Sequence, residues 1–346
     1  MLLQASIKEC LSSNNYLGNI MHPAFSVIFL TTLIGAAQGL FLALFTGQIF
    51  TTFKLMPEQN DPNFYIIGSV LSLMLLTLGL FASFFHLGHP ERAWRSIARW
   101  RTSWLSREVI ALPAMMIGVM AYGAAHFFDL TYPLFETPGG TGLDATLILG
   151  FITTVLTYTL FVCTGMIYAC IKFLQEWHSP LTVINFILLG TASGFTLATA
   201  LSAWLNTELS NFYATWAITF TVLALIFRFA TVIRNQKITP KSDLRSAIGV
   251  RHPKVVQITQ GFLGGSFNTR EYFHGKSKAV LRNIKYIAFI LVFVIPVILL
   301  VISLSSKGYF IPLLAILVQY VGLLAERWYF FADANHPQNL YYQNIA

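Results

Sequence analysis

Residues 23–50 read PAFSVIFLTTLIGAAQGLFLALFTGQIF, 28 residues without one charged side chain. About 20 consecutive apolar residues in a helix cross the hydrocarbon core of a bilayer, so this run predicts a membrane span. A window of that size finds seven more, at roughly 64–87, 108–128, 146–171, 181–205, 211–233, 285–304 and 309–330. The whole chain agrees: of 346 residues 55% are apolar and 10% charged, where a soluble domain carries about 25% charged residues. With a mean hydropathy of +0.64, that excludes a soluble globular protein. The expectation is an all-α integral membrane protein, one domain over 1–346 with eight transmembrane helices. The polar stretch Lys8 to Asn19 precedes the first span, which is too long for the apolar region of a signal peptide and reads as retained.

Eight spans place both termini on one side, with the loops 88–107, 172–180 and 234–284. Outside the spans and at their ends, that side holds Lys8, five Arg from Arg92 to Arg107, Lys172, ten Lys or Arg from Arg234 to Arg282, and Arg327. The other side holds Lys54 and Lys307. Basic loops stay on the cytoplasmic side, so both termini are expected there. The formal charge of +8 is thus a topology signal and no sign of nucleic-acid binding. Loop 234–284, basic and rich in Gly and Ser, reads either as a skirt against membrane lipid headgroups or as a docking arm for a soluble partner.

A weak repeat joins the two halves. Span one opens on His22-Pro23 and carries Gly35-Ala36-Ala37-Gln38-Gly39; span five opens on His178-Ser179-Pro180 and carries Gly190-Thr191-Ala192-Ser193-Gly194. Proline is tolerated at a helix start, and glycines four apart let a second helix approach closely. Two four-helix halves in parallel orientation are one reading; convergent helix-packing chemistry is the other.

Ionisable side chains inside spans are the usual functional markers of a membrane protein, and the span centres here hold almost none. That argues against an ion-coupled transporter, which places charges or broken helices near the midplane. The charges gather at one face instead: His86, His89, Glu91, Arg92 and Arg95 after span two, Glu108 at the head of span three, Glu176 and His178 before span five, Arg228 late in span six, Glu326 and Arg327 ending span eight. The densest run is His86-Leu87-Gly88-His89-Pro90-Glu91-Arg92-Ala93-Trp94-Arg95, followed by Trp104-Leu105-Ser106-Arg107-Glu108. Gly88 and Pro90 break the helix, and Ser106 is the expected N-cap of span three with Glu108 in its first turn. One reading is interfacial anchoring, with Trp at headgroup depth and Arg snorkelling. The other is a quinone site, where carbonyl oxygens need donors and two protons need titrating groups. His86 and Glu108 would handle protons and Arg92 would steady charge.

A haem needs facing histidines, and His126 is predicted at the face opposite His86. Cys10, Cys163 and Cys170 are the only cysteines, too few for the four thiolates of an iron–sulfur cluster. Any cluster belongs to a partner. Cys163 and Cys170 read as small packing residues, and Asn185 as an interhelical hydrogen bonder.

The stretch His86-Leu87-Gly88-His89-Pro90-Glu91-Arg92-Ala93-Trp94 with Leu105-Ser106-Arg107-Glu108 resembles the DmsC-type membrane anchor subunits of complex iron–sulfur molybdoenzymes. The ending Leu324-Ala325-Glu326-Arg327-Trp328-Tyr329-Phe330-Phe331, with His336-Pro337-Gln338-Asn339-Leu340-Tyr341-Tyr342, is similar to a sulfite dehydrogenase branch of that family. The resemblance implies a non-catalytic-centre membrane subunit of a quinone-linked oxidoreductase, without haem. It also implies two partners: a molybdopterin catalytic subunit and a ferredoxin-like subunit with four [4Fe-4S] clusters. Carried over by motif, the quinol-site histidine falls on His86, the motif arginine on Arg92 and the functional carboxylate on Glu108. His89, Trp177, His178 and Arg327 are supporting candidates for quinone binding. Trp177 and His178 share the predicted face and either wall a ring-shaped pocket or sit there as interfacial side chains; Glu326 and Arg327 either serve the site or pair with each other. Sulfite oxidation with quinone reduction is the expected reaction of the complex. The alternatives are quinol oxidation in a dimethyl sulfoxide reductase-like complex and a passive structural anchor.

Overall fold

A computed structural model describes residues 25–56, 62–136, 142–205, 208–239, 244–252, 255, 278–306 and 308–334. Most of loop 234–284, Cys10, His22-Pro23 and the stretch His336 to Tyr342 lie outside them. Among the described residues eight helices are long and apolar enough to span a membrane. They are α1 (Phe25–Thr52), α2 (Pro62–Ser83), α3 (Trp104–Phe127), α4 (Ala145–Ala169), α5 (Pro180–Trp204), α6 (Ser210–Gln236), α7 and α8 (Phe310–Ala332). α7 is continuous through Lys278–Phe289, a π-helical turn Ile290–Val294, and Ile295–Ser305. The protein is an all-α integral membrane protein.

Each helix packs on its neighbours within α1–α4 and within α5–α8, and the two sets meet where α1 crosses α5. The glycines of the sequence repeat make that crossing against each other. A Cβ on Gly39 would fall on the Gly190 carbonyl, and one on Gly194 would fall on the backbone of Gly39 and Leu40. Apolar side chains gain little by leaving lipid for another helix, so close van der Waals packing holds membrane helices together, and hydrogen at Cα permits it here. Around the crossing lie Leu40, Phe41, Leu44, Phe161, Phe195 and Ala198, all buried.

The π turn of α7 has a local cause. Pro296 has no N–H to give the Val292 carbonyl, four residues earlier, and the Gln319 amide of α8 donates to that oxygen at 3.3 Å instead. Gly322 lets the α7 backbone approach at Leu291 and Val292. Among the described residues the strands are one hairpin between α3 and α4, Pro133–Glu136 antiparallel to Gly142–Asp144. Asp144 then caps α4, accepting from the Leu147 N–H at 2.8 Å.

After α2 the chain turns through Phe84–His86 and runs as a 3-10 helix over Pro90–Arg99, which packs on α3. α3 starts earlier than expected. Ser103, not Ser106, is the N-cap, its Oγ accepting from the Ser106 N–H. Arg107 fixes this start by donating to the carbonyls of Trp100 at 2.9 Å and Arg101 at 2.8 Å. Glu108 therefore sits in the second turn, beyond the strongest part of the helix dipole.

Candidate functional site

With eight crossings, the starts of α1, α3, α5 and α7 share a face with the ends of α2, α4, α6 and α8. On that face Arg228 of α6 and Glu326 and Arg327 of α8 are buried, 3%, 1% and 4% exposed. The Glu326 carboxylate lies between the two guanidinium groups, Oε1 at 2.7 Å from Arg228 Nε and Oε2 accepting from Arg327 Nε at 2.7 Å. Two cations and one anion leave a buried positive charge. The Arg327 guanidinium lies 4.0 Å over the Phe186 ring and 5.3 Å from that of Phe330, which offsets part of its desolvation. Its Nη1 is buried without a hydrogen-bond partner.

Arg327 forms one wall of a slender crevice between α1, α3, α4, α5 and α8, whose free space of about 20 Å³ is room for one water. Glu108 stands on the same crevice, with Gln38, Thr164 and Ser193. Thr164 Oγ donates to Glu108 Oε1 at 2.5 Å, leaving the carboxyl's second oxygen for a guest. The crevice thus presents a guanidinium and a carboxyl group between apolar walls, and a ring-sized guest would enter only as those walls part.

Of the seven sequence candidates, Glu108 and Arg327 meet in this crevice. His86 is exposed at the end of α2, its Nδ1 3.2 Å from Ser26 Oγ, one turn of α1 before the crevice residue Leu30. His89 and Arg92 form a separate exposed cluster on Glu91, at 3.1 and 3.5 Å from the same oxygen. Trp177 and His178 wall no pocket with them. Trp177 is buried, donating to the Phe330 carbonyl at 3.0 Å and stacked on the Phe330 ring at 5.1 Å. His178 is exposed, and its Nδ1, 2.6 Å from the Ala169 carbonyl, must carry the proton because a carbonyl only accepts. Glu326 and Arg327 do pair, and Arg228 joins them. It is the member that sequence reading left unassigned; its signal was an ionisable side chain inside an apolar span.

The other expectations divide. Asn185 donates across helices to Thr231 Oγ at 2.7 Å. Cys163 is buried packing, but Cys170 is exposed just past the end of α4. Among the described residues no three His, Cys, Asp or Glu side chains gather as a metal would require. His126 lies buried near the far end of α3, stacked on Tyr65 at 4.5 Å and edge-on to Tyr122.

Eight apolar helices with buried charges at one face define an all-α integral membrane protein. The chain belongs to the DMSO reductase anchor subunit (DmsC) family, whose profile matches residues 19–332. It is 56% identical to the C subunit of the sulfite dehydrogenase of Allochromatium vinosum over 326 residues, covering 94% of this protein and all of that one. It is 29% identical to the C component of the anaerobic dimethyl sulfoxide reductase of Haemophilus influenzae over 177 residues, 51% of this protein and 57% of that one.

Proposed function

We propose that this chain anchors a molybdopterin iron–sulfur oxidoreductase in the bacterial inner membrane and exchanges electrons between a partner's [4Fe-4S] cluster and the quinone pool. Similarity to a sulfite dehydrogenase subunit over nearly the whole chain favours sulfite oxidation with quinone reduction as the reaction of the complex. The partners are the molybdopterin catalytic subunit and a ferredoxin-like four-cluster subunit, docked on the face that carries the basic loops, with both termini cytoplasmic.

The observation that supports a quinone site is the crevice lined by Glu108 and by Arg327, whose Nη1 is buried without a hydrogen-bond partner. Reduction of the quinone takes up two electrons from the partner and two protons. Arg327 donates a hydrogen bond to one ring oxygen, Glu108 passes one proton to the other, and the second proton comes from water by way of His86 near the mouth. Arg92 and His89, outside the crevice, act on the approach to it.

The test is quinone-coupled turnover of the assembled complex carrying Glu108→Gln or His86→Leu, beside turnover with a soluble artificial electron carrier. Loss of about 100-fold in the quinone reaction, with the carrier reaction intact, is the expected result for Glu108→Gln. Equal quinone turnover in both variants and the unsubstituted complex overturns the reading and leaves this face an anchor.

A further inference from the structure

We infer that the crevice selects its guest as an anion, and that Arg228 and Glu326, which do not line it, set that preference through Arg327. The inference rests on the crevice being a quinone site and adds which charge state that site holds.

Three facts carry it. The cluster of Arg228, Glu326 and Arg327 has two positive charges against one negative, all three side chains at least 96% buried. Each oxygen of Glu326 faces one guanidinium, Oε2 in a hydrogen bond with Arg327 Nε and Oε1 in an ion pair with Arg228 Nε that lacks hydrogen-bond geometry, so one carboxylate is shared between two cations. Arg228 Nε and Arg327 Nη1 are both buried without a hydrogen bond, and of the two Arg327 belongs to the wall of the crevice. A buried uncompensated charge is costly, and an anionic ring oxygen set against Nη1 supplies both the missing hydrogen bond and the missing countercharge. Glu108, the carboxyl group on the crevice wall, is held by Thr164 of α4 and, protonated as the proposed reaction requires, faces the guest's other oxygen without adding a charge. The guest is therefore oriented, its deprotonated oxygen toward α8 and its protonated or carbonyl oxygen toward α3. The ligand class is an acidic hydroxyquinone or a singly deprotonated quinol.

The charge count makes this testable without touching the crevice wall. The full chain in lipid nanodiscs would be titrated with 2-hydroxy-1,4-naphthoquinone, an anion at neutral pH, and with its uncharged 2-methoxy analogue. The quantity read is the ratio of the two dissociation constants. Arg228→Gln lowers the cluster's net charge from one to zero, and the preference for the anion is expected to fall about tenfold. Glu326→Gln raises it to two, and the preference is expected to rise. Arg228→Lys keeps the charge and keeps the ratio, which separates charge from a packing defect. Binding of the methoxy compound reports that each variant is folded. If both compounds bind but the ratio is the same in all four proteins, the inference is overturned while the quinone site stands. If neither compound binds the unsubstituted protein, the quinone reading itself falls and this inference with it.

Discussion

Replacing one hydrogen by a methyl group at Gly194 should destabilise the bundle, whereas the same change at Gly35 should not. Both glycines belong to the α1–α5 crossing. At Gly35 an added Cβ would meet one atom at ordinary contact distance, the Gly190 Cα at 3.6 Å. At Gly194 it would fall on the Gly39 and Leu40 backbone, which cannot rotate away, so the two central helices must separate. Helix propensity favours Ala over Gly by about 1 kcal/mol in either helix and cancels in the comparison. Overfilling a packed contact costs about 1–3 kcal/mol, so the Gly194→Ala and Gly35→Ala proteins should differ by that amount. In an unfolding equilibrium it is roughly a 5- to 140-fold difference in the unfolded fraction. Titration of the purified protein from mild detergent into sodium dodecyl sulfate, followed by tryptophan fluorescence, measures it. Equal unfolding midpoints would refute the claim that contact between the two glycine pairs holds the halves together.

At the far face, Gln48 accepts from Tyr122 Oη at 2.7 Å and donates to Thr146 Oγ at 2.5 Å; Gln48→Leu should cost about 1–3 kcal/mol, and adding Tyr122→Phe should cost less than the sum of the two changes. Deleting residues 240–275 should release the soluble subunits from the membrane protein, and a complex that stays intact in detergent would leave that loop a lipid skirt. Turnover of the complex in proteoliposomes should build no membrane potential. Thr157, Thr196, Thr199 and Thr221 each donate to a carbonyl four residues earlier in their own helix, so they pass no proton from one to the next. A dye response proportional to quinone turnover would contradict this.

Span number and helix length could be read from composition because the bilayer imposes one length and removes water as a competitor for backbone hydrogen bonds. The glycine pairs were legible as close-approach sites, but that they meet each other is a tertiary fact that no single helix contains. The start of α3 was misread because Ser103 and Ser106 are equally good caps; what decides between them is Arg107 reaching back to two loop carbonyls. Within the site, Glu108 and Arg327 are more than 200 residues apart and share a crevice through the packing of α1, α4 and α5. The neighbouring His89 and Arg92 share a sequence motif with His86, yet both lie against the exposed Glu91, outside the crevice. Nearness in sequence did not bring them to the crevice wall, and distance along the chain hid Arg228 beside Glu326.

The buried charges at the ends of α6 and α8 are difficult to explain by stability. A buried ion pair or triad replaced by apolar side chains of like volume is often neutral or more stable by about 1–4 kcal/mol, and this triad has an odd charge left over. Aromatic rings stand where apolar packing already suffices: Phe186, Phe330, Tyr168 and Trp177 stack and cross at 5.1–5.8 Å around Arg327. The rings hold the guanidinium in place, while Glu326 fixes its Nε and leaves Nη1 unpaired beside the crevice. The proposed guest, with an oxygen to offer, would complete the hydrogen bonding of a group so firmly held; without such a guest, an apolar side chain of like volume would serve the fold as well.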